Sequence, residues 1–146
     1  MNETQVSKAP WHLWAVGIVG LLWSAMGGMD YIMTQTRNES YLAKFTPEQL
    51  DYFFGFPTWV VAAWALAVWC GVAGAVVLLL RKRIAEQVFL VSLIAMVITT
   101  IYNYGMSDGF EVMGGVGPFM FTVAIFLAAL GLWYYARSMR LRGVIT

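Results

Sequence analysis

Hydrophobic positions in this chain do not alternate with polar ones. They run on without interruption in four long stretches, roughly from Ala9 to Met29, Thr58 to Leu80, Gln87 to Ser107 and Val112 to Ala136, none of which contains a charged residue. Each stretch is about twenty residues or more, the length a helix needs to cross ~30 Å of hydrocarbon. A buried helix of a soluble protein rarely goes that far without a charge. The pattern predicts an all-α membrane protein: a bundle of four transmembrane helices over residues about 10–33, 57–80, 86–106 and 112–136, forming a single domain.

The polar segments between the spans predict the rest of the architecture. The first ten residues are polar and are expected to fray. Asp30 to Pro57 is the one sizeable connection, and it holds Thr46-Pro47-Glu48-Gln49. Thr46 suits a helix N-cap, Pro47 the first helical position, and Gln49 the third position of a capping box. A short helix over Pro47 to Phe54 follows, with Leu50, Phe53 and Phe54 as an apolar face laid along the membrane surface. Asn38-Glu39-Ser40 matches a glycosylation sequon and reads as coincidence. Gly20, Ser24 and Gly28 share one face of the first span, and Ala63, Ala67, Gly71 and Ala75 share one face of the second. Small residues at every fourth position let helix backbones approach closely in lipid. Gly-Met-Asp at the end of span one and Gly-Met-Ser-Asp at the end of span three hint at a repeat, but the identities are too few to establish duplication.

Charge sets an expected orientation. Arg81-Lys82-Arg83 separates spans two and three, and Arg137, Arg140 and Arg142 close the chain. The connection from Asp30 to Pro57 carries four acids against Arg37 and Lys44, and the one around Asp108 and Glu111 carries no base. Basic residues accumulate on the cytoplasmic side. Both termini are therefore expected in the cytoplasm of a bacterial inner membrane, with the Pro47–Phe54 helix in the periplasm. Tryptophan and tyrosine near the span ends fit interfacial belts. Span one reads as retained rather than cleaved, because its apolar run exceeds a signal core and no A-x-A site follows.

Composition excludes several function classes. Of 146 residues, 60% are hydrophobic and 12% charged, which leaves no room outside the spans for a soluble catalytic domain. The few basic residues sit at helix ends, so nucleic acid is not an expected partner; the lipid bilayer is. Cys70 is the sole cysteine and reads as a packing residue. His12 is the sole histidine and lies far from the acids, so neither a metal site nor another cofactor is expected. No nucleophile motif, phosphate loop or H-E-x-x-H is present, and an enzyme is not expected. The middles of spans one, two and four hold no ionisable residue. That departs from proton-coupled four-helix exporters, which need a central acid of raised pKa.

The candidate chemistry gathers near the ends of spans one and three. Asp30, Asn103, Asp108 and Glu111 are the candidate solute-binding residues, with Thr99, Thr100 and Ser107 nearby. If those spans are neighbours, Asp30 and Asp108 face one vestibule, able to bind a cation, accept sugar hydroxyls, or pair with Arg37 or Lys44. The bland reading is a set of helix-end residues in contact with water.

Taken whole, the chain resembles a family of small four-span proteobacterial inner-membrane proteins commonly labelled "sugar transporter". The resemblance runs from WHLWAVGIVGLLW through YGMSDG to the arginine-rich tail. DYIMTQTRNE (Asp30–Glu39) and FTPEQ (Phe45–Gln49) are its specific parts. It implies a transport-related role and assigns no binding residues. A lone four-helix bundle is expected to be too thin to surround a sugar, so a homo-oligomer would be needed. The alternative is a non-catalytic accessory subunit of a larger membrane complex, packed through the small-residue faces.

Overall fold

The computed structural model describes residues 8–146. The seven residues before them, where fraying is expected, lie outside that range. The chain forms α1 (Trp11–Gln35), α2 (Glu39–Leu42), α3 (Pro47–Phe54), α4 (Thr58–Leu79), α5 (Ala85–Ile101), a π turn (Tyr102–Met106), α6 (Gly109–Met113) and α7 (Val116–Leu141). The fold is all helical. Four helices are long and apolar enough to cross a membrane: α1, α4, α5 with its π turn, and α7. The fold is that of a small integral membrane protein.

Two boundaries differ from the sequence expectation. The last span begins at Val116 rather than near Val112, because Gly114 and Gly115 take φ of 113° and 87° and break the chain direction there. It also continues past Ala136 to Leu141, carrying Arg137 and Arg140 on the helix. An apolar window ends where charge appears, but a helix does not.

α1 pairs closely with α4, α4 with α5, and α5 with α7. Spans one and three therefore stand across the bundle from each other instead of side by side. α1 and α7 are not a close pair, and they meet only at particular side chains. At the end where α1 starts and α7 finishes, here the terminal end, His12 Nδ1 lies 2.5 Å from the Tyr135 hydroxyl. A Cβ on Gly20 would sit 3.0 Å from a Leu132 methyl.

The core lies at this terminal end. Leu13, Leu78, Phe89, Ala136, Met139 and Ile145 pack there as one buried cluster. Gly74 lets α4 accept the Phe89 ring, since a Cβ would fall 2.6 Å from it. Glu86 and Arg140 form an ion pair between α5 and α7. After Gly143 (φ 74°) the chain turns back, so that Thr146 N–H donates to the Arg81 carbonyl at 3.1 Å. Arg81 Nε in turn donates to the Val144 carbonyl at 3.2 Å.

Three long helices stop in the same way. The residue after the cap takes a left-handed φ, and the next N–H reaches back five residues: Asn38 to Met33, Lys82 to Val77 and Val144 to Met139. This is the Schellman closure, which satisfies the last carbonyls. Glycine usually occupies the left-handed position; here Arg37 (φ 54°) and Arg81 (φ 59°) do so in two of the three. Arg37 stacks 4.0 Å over the Phe54 ring, an attraction that offsets part of the strain.

Candidate functional site

Opposite the terminal end, the four spans separate around a cavity of about 670 Å³. All four contribute to its wall. Trp23, Ser24, Gly27 and Asp30 come from α1, Trp64, Ala67 and Gly71 from α4. Phe89, Ser92, Met96, Thr99 and Thr100 come from α5, and Phe121, Thr122, Ala129 and Leu132 from α7. The single chain thus surrounds a space of ligand size with residues of all four spans, where a lone bundle was expected to be too thin for one. The reason lies in the side chains. The large buried residues crowd the terminal end, while the small residues Ser24, Gly71, Ala67 and Ala129 leave the other half unfilled.

The floor is polar as well as small. Ser92 Oγ donates to the Ala67 carbonyl at 2.5 Å and ties α5 to α4. Ser24 lies close by, since a Cβ on Gly71 would stand 3.1 Å from its Oγ. The helix-packing positions are thus occupied inside the chain: Leu132 lies over Gly20, Trp69 over Gly28 and Ser24 over Gly71, and Ala63 and Ala75 are buried.

The lid is built from the connection between α1 and α4. α3 forms over the predicted residues, and its capping box is complete. Gln49 N–H donates to Thr46 Oγ1, and Thr46 N–H donates to Gln49 Oε1, both at 3.1 Å. Its rings do not all face away from the bundle: Tyr52 and Phe53, with Phe56 just beyond, line the cavity. Gln49 Nε2 also donates to the Val112 carbonyl at 3.2 Å, fastening α3 to α6. α2, which hydrophobicity does not reveal, is a single turn capped by Asn38, whose side chain accepts from Tyr41 N–H at 2.9 Å. Tyr41 then donates its hydroxyl to the Asp30 carboxylate. Burial and that neighbouring carboxylate hold the Tyr41 phenol well above its usual range, so it remains a neutral donor.

The opposite wall turns on the π segment. Widening α5 at Tyr102–Met106 places Asn103 and Tyr104 in the lining and lets Ser107 donate back to the Tyr102 carbonyl at 2.8 Å. Tyr52 Oη bonds Asn103 Oδ1 at 2.8 Å and Ser107 Oγ at 2.6 Å. Burial raises the Tyr52 hydroxyl as well. Gly109 makes this junction possible, because a Cβ there would lie 2.3 Å from the Asn103 carbonyl oxygen and 2.8 Å from Tyr52 Oη. Tyr104 reaches Thr122 on α7 at 2.9 Å.

Of the four candidate solute-binding residues, Asp30 and Asn103 line the cavity. Asp108 and Glu111 do not; both are exposed, at the start of α6. Thr99 and Thr100 share the wall with Asp30, although each also donates its hydroxyl to the Met96 carbonyl at 2.8 Å. Sequence reasoning missed Tyr41, Tyr52 and Gly109. Tyr52 sits six residues from the readable Thr46 start signal and Tyr41 three from Asn38, which reads only as part of a sequon; neither position announces a reach across the mouth. Asp30 and Lys44 are the two charged residues among the lining set, and Lys44 is exposed, its Nζ 3.9 Å over the Tyr41 ring. No family model, no curated protein and no solved structure matches the chain.

Proposed function

We propose that this protein is a small multi-pass transporter-like protein of a bacterial inner membrane, which binds a small organic solute in the cavity between its spans. The observation that carries this reading is the cavity itself. It reaches from the α2–α3 lid to the middle of the bundle, carries aromatic rings and a few polar groups, and is shut at one end by the core. Ligand sites in proteins have this volume and this mixture of apolar wall and placed polar groups. A space open at one end of the spans and closed at the other suits one facing state of a carrier. The resemblance to four-span proteins labelled as sugar transporters points the same way. The terminal end, which gathers Arg81–Arg83 and the α7 arginines, is cytoplasmic in this reading, and the lid is periplasmic. The lining offers the solute one acid and several hydroxyl and amide groups, which suits binding. The accessory-subunit alternative gains no specific support, because the small-residue positions are covered by the chain's own side chains.

The test is ligand-induced thermal stabilisation of the purified protein, with glucose and with tetraphenylphosphonium as separate probes. One of them raises the melting temperature of wild type. Asp30→Asn and Asn103→Ala remove the shift, whereas Asp108→Asn and Glu111→Gln, away from the cavity, keep it. Equal loss in all four variants, or a shift insensitive to Asp30 and Asn103, contradicts the reading.

A further inference from the structure

The walls of the cavity are not equally closed. Among its lining residues four are exposed: Lys44 on the lid rim, and Trp23, Met26 and Phe121. The last three belong to α1 and α7, the two adjacent spans that do not pair closely. Trp23 is 36% exposed, Met26 69% and Phe121 60%, yet each also borders the cavity. On the α4–α5 side the lining is sealed, with Val60, Phe89, Ser92 and Met96 buried. What bridges the α1–α7 seam above Gly20 and Leu132 is one ring pair, Trp23 and Phe121, with centroids 6.2 Å apart.

The depth of this seam decides what lies outside it. Trp23 stands at the centre of the 25-residue α1, about 18 Å from either end at 1.5 Å per residue. That level is hydrocarbon when the helix spans a bilayer, so the exposed faces of Trp23 and Met26 meet acyl chains and not water. α7 is suited to move there. Its only buried residues, Ala136 and Met139, lie at the terminal end, and its other end follows Gly114 and Gly115, both at positive φ. The lid half of α7 is tied to α5, where Tyr104 meets Thr122 and Phe119, so its freedom lies on the α1 side, where the Trp23–Phe121 pair spans the seam.

The cavity's charge narrows the ligand. Of the two charged side chains in the lining, Lys44 is exposed on the lid rim and Asp30 is half-buried, so Asp30 is the acid the cavity presents to a ligand. Its Oδ1 accepts from Tyr41, and no protein hydrogen bond to Oδ2 is present among the described residues. Tyr41 is its immediate neighbour, and the rings of Trp23, Trp64, Tyr104 and Phe121 line the same cavity. Aromatic faces attract cations, most strongly where water is scarce, and a single carboxylate in an apolar space favours a positive partner. We propose that the cavity is loaded from within the bilayer through the α1–α7 seam, and that its ligand is an amphipathic organic cation. The apolar body packs on the rings and the cationic head meets Asp30. This rests on the reading of the cavity as a ligand site.

The experiment uses the full chain in phosphatidylcholine nanodiscs, with labelled tetraphenylphosphonium as the lipophilic cation and glucose as the uncharged polar comparison. In a Cys70→Ala background, Trp23→Cys and Phe121→Cys are joined by a short bismaleimide. Cross-linking slows exchange of bound tetraphenylphosphonium by about tenfold or more, the effect of gating an entry path, and leaves its Kd near that of the unlinked protein. Phe121→Ala, which thins the seam, speeds exchange. Asp30→Asn weakens tetraphenylphosphonium about tenfold or more, as removal of one member of a partly desolvated charge pair does. Unchanged exchange after cross-linking overturns entry through the seam. Binding of glucose without tetraphenylphosphonium overturns the ligand class and leaves the cavity reading standing. Binding of neither probe removes both.

Discussion

Asp30 shows how a single residue changes meaning between sequence and structure. In the sequence it is an acid at the edge of an apolar run, indistinguishable from Asp108 or Glu111. In the structure Tyr41 folds back eleven positions to donate to it, and the pair closes one side of the cavity mouth. Replacing Tyr41 by Phe removes a hydrogen bond to a carboxylate and is expected to cost about 1.5–3 kcal/mol of stability, read as a lower melting temperature. The same pair predicts a pH dependence. The Tyr41 phenol lies above its free value of 10.0 in the folded protein, so its contribution to stability is complete below pH 10. That contribution is lost as pH rises above 10 through the raised value. Melting temperatures measured from neutral to alkaline pH therefore hold level from this source below pH 10 and fall beyond it, and the fall is smaller in Tyr41→Phe. A second residue-scale prediction concerns Gly109. Its α-hydrogen occupies space that a methyl would share with the Asn103 carbonyl, 2.3 Å away. Gly109→Ala is expected to cost about 1–3 kcal/mol, the range for overpacking, and to loosen the Tyr52–Asn103 bond. The change in melting temperature checks the first part and amide exchange at the π turn the second.

At the scale of elements, what was legible followed from local rules. The four spans could be seen because uncharged runs of this length have few alternatives. The α3 helix could be seen because Thr46, Pro47 and Gln49 carry the complete start signal within four residues. The π turn could not, because Tyr102–Met106 belongs to an uncharged run and reads as ordinary span, and α6 could not, because Asp108–Glu111 reads as a short connection; both depend on the fit of Gly109 against Asn103. The α2 turn was hidden for a similar reason: Asn38 is an ordinary cap for a helix too short to have a periodicity. The α3 start signal also yields a measurable effect. Thr46→Ala breaks the capping box and is expected to cost about 1 kcal/mol, localised to the lid. Hydrogen exchange should then accelerate over residues 47–54 while the protected amides of α4 and α5 hold. Uniform acceleration would show instead that the lid and bundle unfold as one unit.

The whole molecule is asymmetric along its axis, and no local signal announces that asymmetry. The bulky buried residues, the Glu86–Arg140 pair and the returning chain end gather at the terminal end. The small residues of α1, α4 and α7 leave the other half open under an aromatic lid. In sequence, Ser24, Ala67 and Gly71 read as sites of helix contact, and Gly71 does lie against Ser24. Only in three dimensions do these same residues also form the floor of a cavity. The central claim is that this cavity holds the solute. It is tested most directly by filling it. Ala129 lines the cavity from α7, the span least committed to the core, so Ala129→Trp is expected to occupy the space without lowering the melting temperature. Equilibrium binding is measured for whichever of glucose and tetraphenylphosphonium stabilises the wild type. The account predicts that affinity falls by about tenfold or more in Ala129→Trp, as expected when a ligand's volume is taken by a side chain. Affinity equal to wild type in a folded Ala129→Trp protein would contradict it.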